Sequence, residues 1–153
     1  MLSKGRACVP NLLRLKDNGA KSGAKVIKYL LDTNICIYMM NEQPAQVIAR
    51  FKQCRMGEVA ISAVTWTELT CGLDIHNDES QFDALLNAIV VAPFDIKAAA
   101  KFGELSRRFP NRKSSFDRMI AAHALALNVV LVTNNISDFA QYAVNVENWV
   151  AIS

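Results

Sequence analysis

The sequence predicts an α/β fold, with a central, mostly parallel sheet of four to five strands flanked by helices. Three observations carry that prediction. Short runs of Val, Ile and Leu recur along the chain without polar alternation, as strands buried on both faces require. Helix-like segments alternate with those runs, the pattern of a parallel sheet covered on each side. At 153 residues, 52% hydrophobic and 20% charged, the chain has the composition of one globular domain that buries about two-thirds of its unfolded surface.

Each element has its own signal. Residues 26–31 read as the first strand. Residues 35–40 form a short helix and 44–54 a second, with Pro44 suited to a first helical turn. Residues 59–61 are the second strand, after which Ser62 can cap a helix over 63–73 that ends near Gly72. Residues 80–87 are helical, and 89–91 form a third strand closed by Pro93. Asp95 can cap a helix over 96–108, where Ala98, Ala99 and Ala100 have high helix propensity. The loop through Pro110 breaks it, and Ser114 or Ser115 caps a further helix to about residue 127. Residues 129–132 are a fourth strand and 144–146 a fifth.

The totals exclude several classes. No apolar run reaches the roughly 18 to 20 residues of a membrane span. The four cysteines form no C-x-x-C pair and lie far from the two histidines in ligand spacing, which argues against zinc. Cys36 and Cys71 read as small core residues. With neither a disulfide framework nor a secretory signal, a reducing cytoplasm is the expected compartment. Residues 1–25 carry Lys4, Arg6, Arg14, Lys16, Lys21 and Lys25 and precede the first strand. They read as a disordered basic extension, with a nucleic-acid-binding arm as the sharper alternative; the folded domain is expected over 26–150.

Four acids sit where they need explanation. Asp32 follows the first strand directly and Asp138 follows the fourth, and ligands of open parallel sheets gather outside such strand ends. Either acid could instead be a simple cap or turn residue. Glu68 lies on a helix whose neighbours at one-turn spacing, Val64, Thr65, Cys71 and Gly72, offer no cation. Asp117 lies in a first helical turn, which the macrodipole alone would favour. Taken together, oxygen ligands without His or Cys suit a hard ion, Mg2+ or Mn2+, and a site for hydrolysis of phosphate esters. Arg107, Arg108, Arg112 and Lys113 fall just before Asp117, placed to hold phosphates or to form a solvated charge run. His123, six positions after Asp117, reads as a packing residue or internal polar contact. Trp66 reads as core, and His76 as exposed.

The stretches Leu30-Leu31-Asp32-Thr33-Asn34, Thr67-Glu68-Leu69, Ser115-Phe116-Asp117-Arg118-Met119-Ile120-Ala121-Ala122-His123-Ala124 and Val132-Thr133-Asn134-Asn135 with Asp138-Phe139 resemble those of the PIN-domain ribonuclease toxins of the VapC type, in the same order. The resemblance implies a PIN-like three-layer fold and a Mg2+-dependent endoribonuclease, with Mn2+ as an alternative ion. It implies an RNA substrate, tRNA being one candidate, a VapB-type antitoxin and a homodimer. Asp32 and Asp117 would be the principal metal ligands. Glu68 would orient the attacking water or hold a second ion, and Thr33 and Asn34 would orient Asp32. The family commonly carries an acid where Asn135 stands, and Asp138 lies three residues further on. One firmly held ion is therefore expected, with Thr133, Asn135 and Asp138 in supporting places.

Two other classes remain open at this level. A non-catalytic PIN-like module binding RNA or protein is favoured by Asn135. A haloacid-dehalogenase-like phosphatase also opens on a strand-end Asp, but it needs a second Asp where this chain has Asn34.

Overall fold

The computed structural model describes residues 26–72, 75–111 and 115–151. Its strands β1 (Tyr29–Leu31), β2 (Val59–Ser62), β3 (Val90–Ala92), β4 (Val130–Val132) and β5 (Val146–Glu147) form one sheet in the order β3-β2-β1-β4-β5. All four pairings are parallel, as the unbroken apolar runs require. Seven helices cover it among the described residues: α1 (Thr33–Asn41), α2 (Ala45–Lys52), α3 (Ala63–Gly72), α4 (Ile75–Ala88), α5 (Ile96–Arg108), α6 (Ser115–Leu127) and α7 (Ile136–Phe139). A 3-10 turn, Ala140–Tyr142, follows α7. None of these helices is long and apolar enough to cross a membrane.

The chain starts at the middle of the sheet. From β1 it moves outward to β2 and β3, then crosses back to place β4 and β5 on the other side. The order therefore reverses between β1 and β4, and the crevice beyond the carboxyl ends of those two strands is where this architecture admits a ligand.

The pleat divides the core. Leu30 is in register with Ala60 and with Leu131, and these three pack with Leu105, Ile120, Ala121 and Ala124 of α5 and α6. Their neighbours Leu31, Ile61 and Val132 point the other way, against Ile35, Met39, Phe51, Leu85 and Trp149. Side-chain caps start the helices where the sequence implies. Asp95 accepts from the Ala98 N–H at 3.1 Å, and Ser62 Oγ accepts from the Val64 N–H at 3.0 Å.

Several expectations are corrected. Helix α4 begins at Ile75, five residues earlier than the apolar pattern implied; polar residues such as Glu79 and Gln81 extend a helix without an apolar repeat to mark it. Trp66 is 40% exposed and leans on Phe82 instead of filling the core. Cys71 is exposed as well, whereas Cys36 is buried as expected. Both misplacements have one cause. The apolar residues of α3 are spread around the helix, and the sheet takes only Val64, Thr65 and Leu69. The apolar residues of 35–40 and 47–51 are core: Ile35, Cys36, Met39, Met40, Val47, Ile48 and Phe51 are buried, and Ile37 is 39% exposed. The extension 1–25, Arg112, Lys113 and Ser114 lie outside the described residues.

Leu131→Ala is expected to lower the unfolding free energy by about 2–5 kcal/mol, because the cavity opens between sheet and helix. Asp95→Ala should cost about 0.5–2 kcal/mol through loss of one cap. Urea unfolding of the two variants would show Leu131 as the larger loss.

Candidate active site

Asp32 stands immediately beyond β1 in an extended conformation (φ −73°, ψ 162°). Its N–H donates to the Val132 carbonyl at 2.9 Å, which carries the β1–β4 pairing one residue past the strand. Its carbonyl accepts from Ile35 and Cys36 and so opens α1. The side chain is 7% exposed. Oδ1 accepts from the Thr33 N–H and Oδ2 from the Thr133 hydroxyl, each at 2.8 Å. Asp32 is thus the helix cap that its position suggests, and it is also the centre of a polar cluster.

Register builds that cluster. Ser62, Asp32 and Thr133 each lie two residues beyond one of the paired residues Ala60, Leu30 and Leu131. With a pleat period of two, all three side chains belong to the sheet face covered by α5 and α6. Thr133 is fully buried, and its oxygen also accepts the Asn135 N–H at 2.9 Å. Asn135 therefore reaches Asp32 through one hydroxyl, by its backbone.

Glu68 enters from α3. Thr33 donates its hydroxyl to Glu68 Oε1 at 2.5 Å, joining the second carboxylate to the residue after the first. Asp138 is exposed in α7, and its charge adds to the field at Asp32. Asp117 is half-buried in the first turn of α6. Only Asn128 and Val129 separate α6 from β4, so the helix runs antiparallel to the strands and its first turn projects beyond their carboxyl ends. Asn34 is exposed, and no described hydrogen bond joins it to Asp32. Arg107 and Arg108 close α5: the Arg107 guanidinium folds back over Gly103, and that of Arg108 sits 5.4 Å from the Phe109 ring. The structure thus joins Asp32, Thr33, Glu68, Thr133 and Asn135 by hydrogen bonds, and brings Asp138 within range of charge.

The electrostatics identify what this cluster lacks. Burial raises the Asp32 pKa above its ordinary 3.8; the Thr133 and Thr33 hydrogen bonds oppose that rise, and the charge of Asp138 adds to it. Burial raises the Cys36 thiol strongly, with the charges of Asp32 and Glu68 adding to the effect. None of the ion pairs among the described residues includes Asp32. A buried carboxylate beside further carboxylates is costly without a cation. Each Asp32 oxygen accepts one hydrogen bond and keeps a lone pair, and all the candidate donors are oxygens, so the chemistry fits a hard divalent ion that retains several waters. Among the described residues, no three His, Cys, Asp or Glu side chains already close around one point.

Ser62 is the cap that its position implies, and His123 makes an internal polar contact as expected; that the two are each other's partner is not legible in the sequence. They meet at 2.8 Å, His123 Nδ1 to Ser62 Oγ, with both side chains buried. Burial lowers the His123 pKa, with Asp95 opposing, and the Phe94 ring stands edge-on at 5.3 Å. His123 Nδ1 and Ser62 Oγ share one hydrogen bond, and Ser62 also accepts from the Val64 N–H. The usable signal is the recurrence of a polar residue at the ends of three core strands, β1, β2 and β4.

A family model for the PIN domain matches residues 29–145. Ribonuclease VapC2 of Haemophilus influenzae is 31% identical over 133 residues, covering 82% of this chain and 100% of the relative. The tRNA(fMet)-specific endonuclease VapC of Shigella flexneri is 31% identical over 132 residues, covering 81% and 99%. Among solved structures, VapBC2 from Rickettsia felis bound to a promoter DNA fragment superposes with a TM-score of 0.70 at 29% identity, over 80% of this chain and 99% of that one. DNA-bound VapBC from Salmonella typhimurium gives 0.71 at 30% identity, over 80% and 98%.

Asp32→Asn is expected to raise the Tm in EDTA at pH 7. A raised folded pKa means the native state holds this proton more tightly than the unfolded chain. The associated stability is present below pH 3.8 and lost as pH rises through the folded value. The neutral amide escapes that loss, so its advantage should shrink as the pH is lowered toward 3.8. His123 has the opposite sign, its contribution being present above 6.5 and lost as pH falls. Calorimetric melts across this range would measure both.

Proposed function

The chain belongs to the PIN-domain family, within its VapC ribonucleases, and from that membership we propose that it is a divalent-metal-dependent endoribonuclease and the toxin of a toxin–antitoxin pair. The observation that carries the catalytic reading is the buried Asp32 carboxylate, bonded on both oxygens and joined through Thr33 to Glu68, without a cation among the described residues. The domain spans 26–150, with 1–25 as an extension, and acts in the cytoplasm.

Asp32 and Asp117 are the residues assigned to hold Mg2+ or Mn2+. When bound, the ion supplies Lewis acidity and lowers the pKa of a coordinated water. Thr33 and Thr133 fix the direction of the Asp32 carboxylate, leaving one lone pair on each oxygen for the ion. Glu68, held by the Thr33 hydroxyl, is assigned to orient the water that would attack the phosphodiester, or to hold a second ion. Asn135 supports Thr133 through its backbone, a role that does not require the acid common at that position. Asp138 adds negative potential at the rim, and Asn34 borders the crevice. Arg107, Arg108, Arg112 and Lys113 precede Asp117 and are assigned to substrate phosphates, where their charge contributes affinity but no base specificity.

The substrate is RNA, with tRNA the leading candidate because the Shigella relative is named for a tRNA. The partner is a VapB-type antitoxin, since the similar solved structures are VapBC assemblies, and the toxin itself is assigned as a homodimer. A non-catalytic RNA- or protein-binding module is the second reading, favoured by Asn135.

Purified protein should cleave RNA with Mg2+, stop in EDTA and recover on adding Mg2+ back. Asp32→Ala and Asp117→Ala should each lower kcat/KM by about 100-fold or more, the scale of losing one electrostatic group from a preorganised site. Wild-type cutting rates in either variant would remove that residue from the site, and uncut RNA with the parent protein would favour the binding module. Replacing Arg107 and Arg108 together by Ala should raise KM, weaken its salt dependence and leave kcat near the parent value.

A further inference from the structure

Ser62 holds in β2 the pleat position that Asp32 holds beyond β1 and Thr133 beyond β4. The three neighbours have different tasks. Asp32 and Thr133 bond each other, whereas Ser62 reaches across to α6 and meets His123 at 2.8 Å. Both partners are buried, at 0% and 1% exposure. A hydrogen bond removed from water is directional and costly to leave unmade.

Beside this bond, α6 meets the sheet through Ile120, Ala121 and Ala124. Short alkyl groups give contact area but little resistance to a small slide or turn of a helix. At the first turn of the helix the buried Arg118 donates to the Tyr142 hydroxyl and to the Asn111 carbonyl; the polar pair adds a directional bond from α6 to the sheet itself, since Ser62 is fixed by the sheet ladder and by the Val64 N–H. Asp117 lies six residues before His123 on the same helix, about 9 Å along the axis. Any slide or turn of α6 is carried to that carboxylate.

We propose that Ser62 and His123 are a positioning pair: their buried hydrogen bond sets the height and rotation of α6 on the sheet and so places Asp117 relative to Asp32. This rests on the reading of Asp32 and Asp117 as the metal-holding carboxylates. The pair touches neither RNA nor the ion, so its effect falls on metal affinity and turnover and spares substrate binding.

The test measures Mn2+ binding by calorimetry on RNA-free protein, together with kcat and KM on RNA. Ser62→Ala and His123→Leu are expected to bind Mn2+ about 10- to 100-fold more weakly, as loss of a residue supporting a ligand does. Their kcat should fall while KM stays within about twofold of the parent, the signature of a lost transition-state arrangement. His123→Asn, whose amide can accept from or donate to Ser62 Oγ in the place of Nδ1, should recover most of both losses. Leu85→Ala, a cavity in the opposite core layer, controls for destabilisation alone and should lower Tm while binding Mn2+ like the parent.

Parental Mn2+ affinity in folded Ser62→Ala protein would overturn the proposal, as would an equal loss in Leu85→Ala. Should His123→Leu fail to fold, the Ser62→Ala comparison decides alone, because that substitution removes one oxygen and little volume. Asp117→Asn separates the two levels. Unchanged Mn2+ binding there would overturn the ligand reading itself, whereas weakened binding there with parental binding in Ser62→Ala would overturn only the positioning pair.

Discussion

A carboxylate held out of water at the point where the strand order reverses is the constraint around which the molecule is arranged. Asp32 must be nearly buried to sit between β1 and β4, and it must be bonded on both oxygens to be tolerated there. One bond comes from the helix it opens and the other from the neighbouring strand. The sheet register and the start of α1 are therefore fixed by the same side chain. Thr133 in turn is steadied by Asn135, so the turn after β4 is shaped by the demands of a carboxylate a hundred residues earlier.

That arrangement trades stability for chemistry. Desolvation holds the Asp32 proton more tightly than water would, and Asp138 reinforces the effect. The fold absorbs this cost through two continuous apolar layers, with Leu30, Ala60 and Leu131 on one side of the sheet and Leu31, Ile61 and Val132 on the other. A cation seated at the cluster would reverse the sign of the local term, because the attraction it provides is strongest where water is excluded. Binding of such an ion would couple to folding, since any ligand of the native state alone stabilises it by mass action.

Helix cap and member of a buried polar cluster could be rival explanations of a strand-end acid, but here one conformation satisfies both. The extended backbone that lets Asp32 accept from Thr33 also turns its second oxygen toward β4. Thr33 extends the economy by giving its N–H to Asp32 and its hydroxyl to Glu68. Two carboxylates separated in the chain by two helices and a strand are thereby coupled through one residue, and their spacing is set by hydrogen bonds as well as by the packing of α3.

The sequence by itself determined the alternation of strands and helices, because apolar runs with caps at Ser62 and Asp95 encode local structure within a few residues. It also singled out Asp32 and Glu68, which are odd at their positions before any neighbour is known, and the fold joins them through Thr33. What it left undecided was orientation. Trp66 and Cys71 looked like core because α3 is apolar on several sides, and only the sheet selected which side to bury. The apolar residues of α1 and α2 are core for the same reason: burial is decided by the element that arrives opposite. Ser62, Thr133 and His123 are ordinary residues in the chain, and they acquire their places from parallel register and from the seating of α6, both set by contacts between segments far apart in sequence. Local sequence carries propensity and periodicity, whereas a site shared by three strands and two helices exists only once those segments have packed.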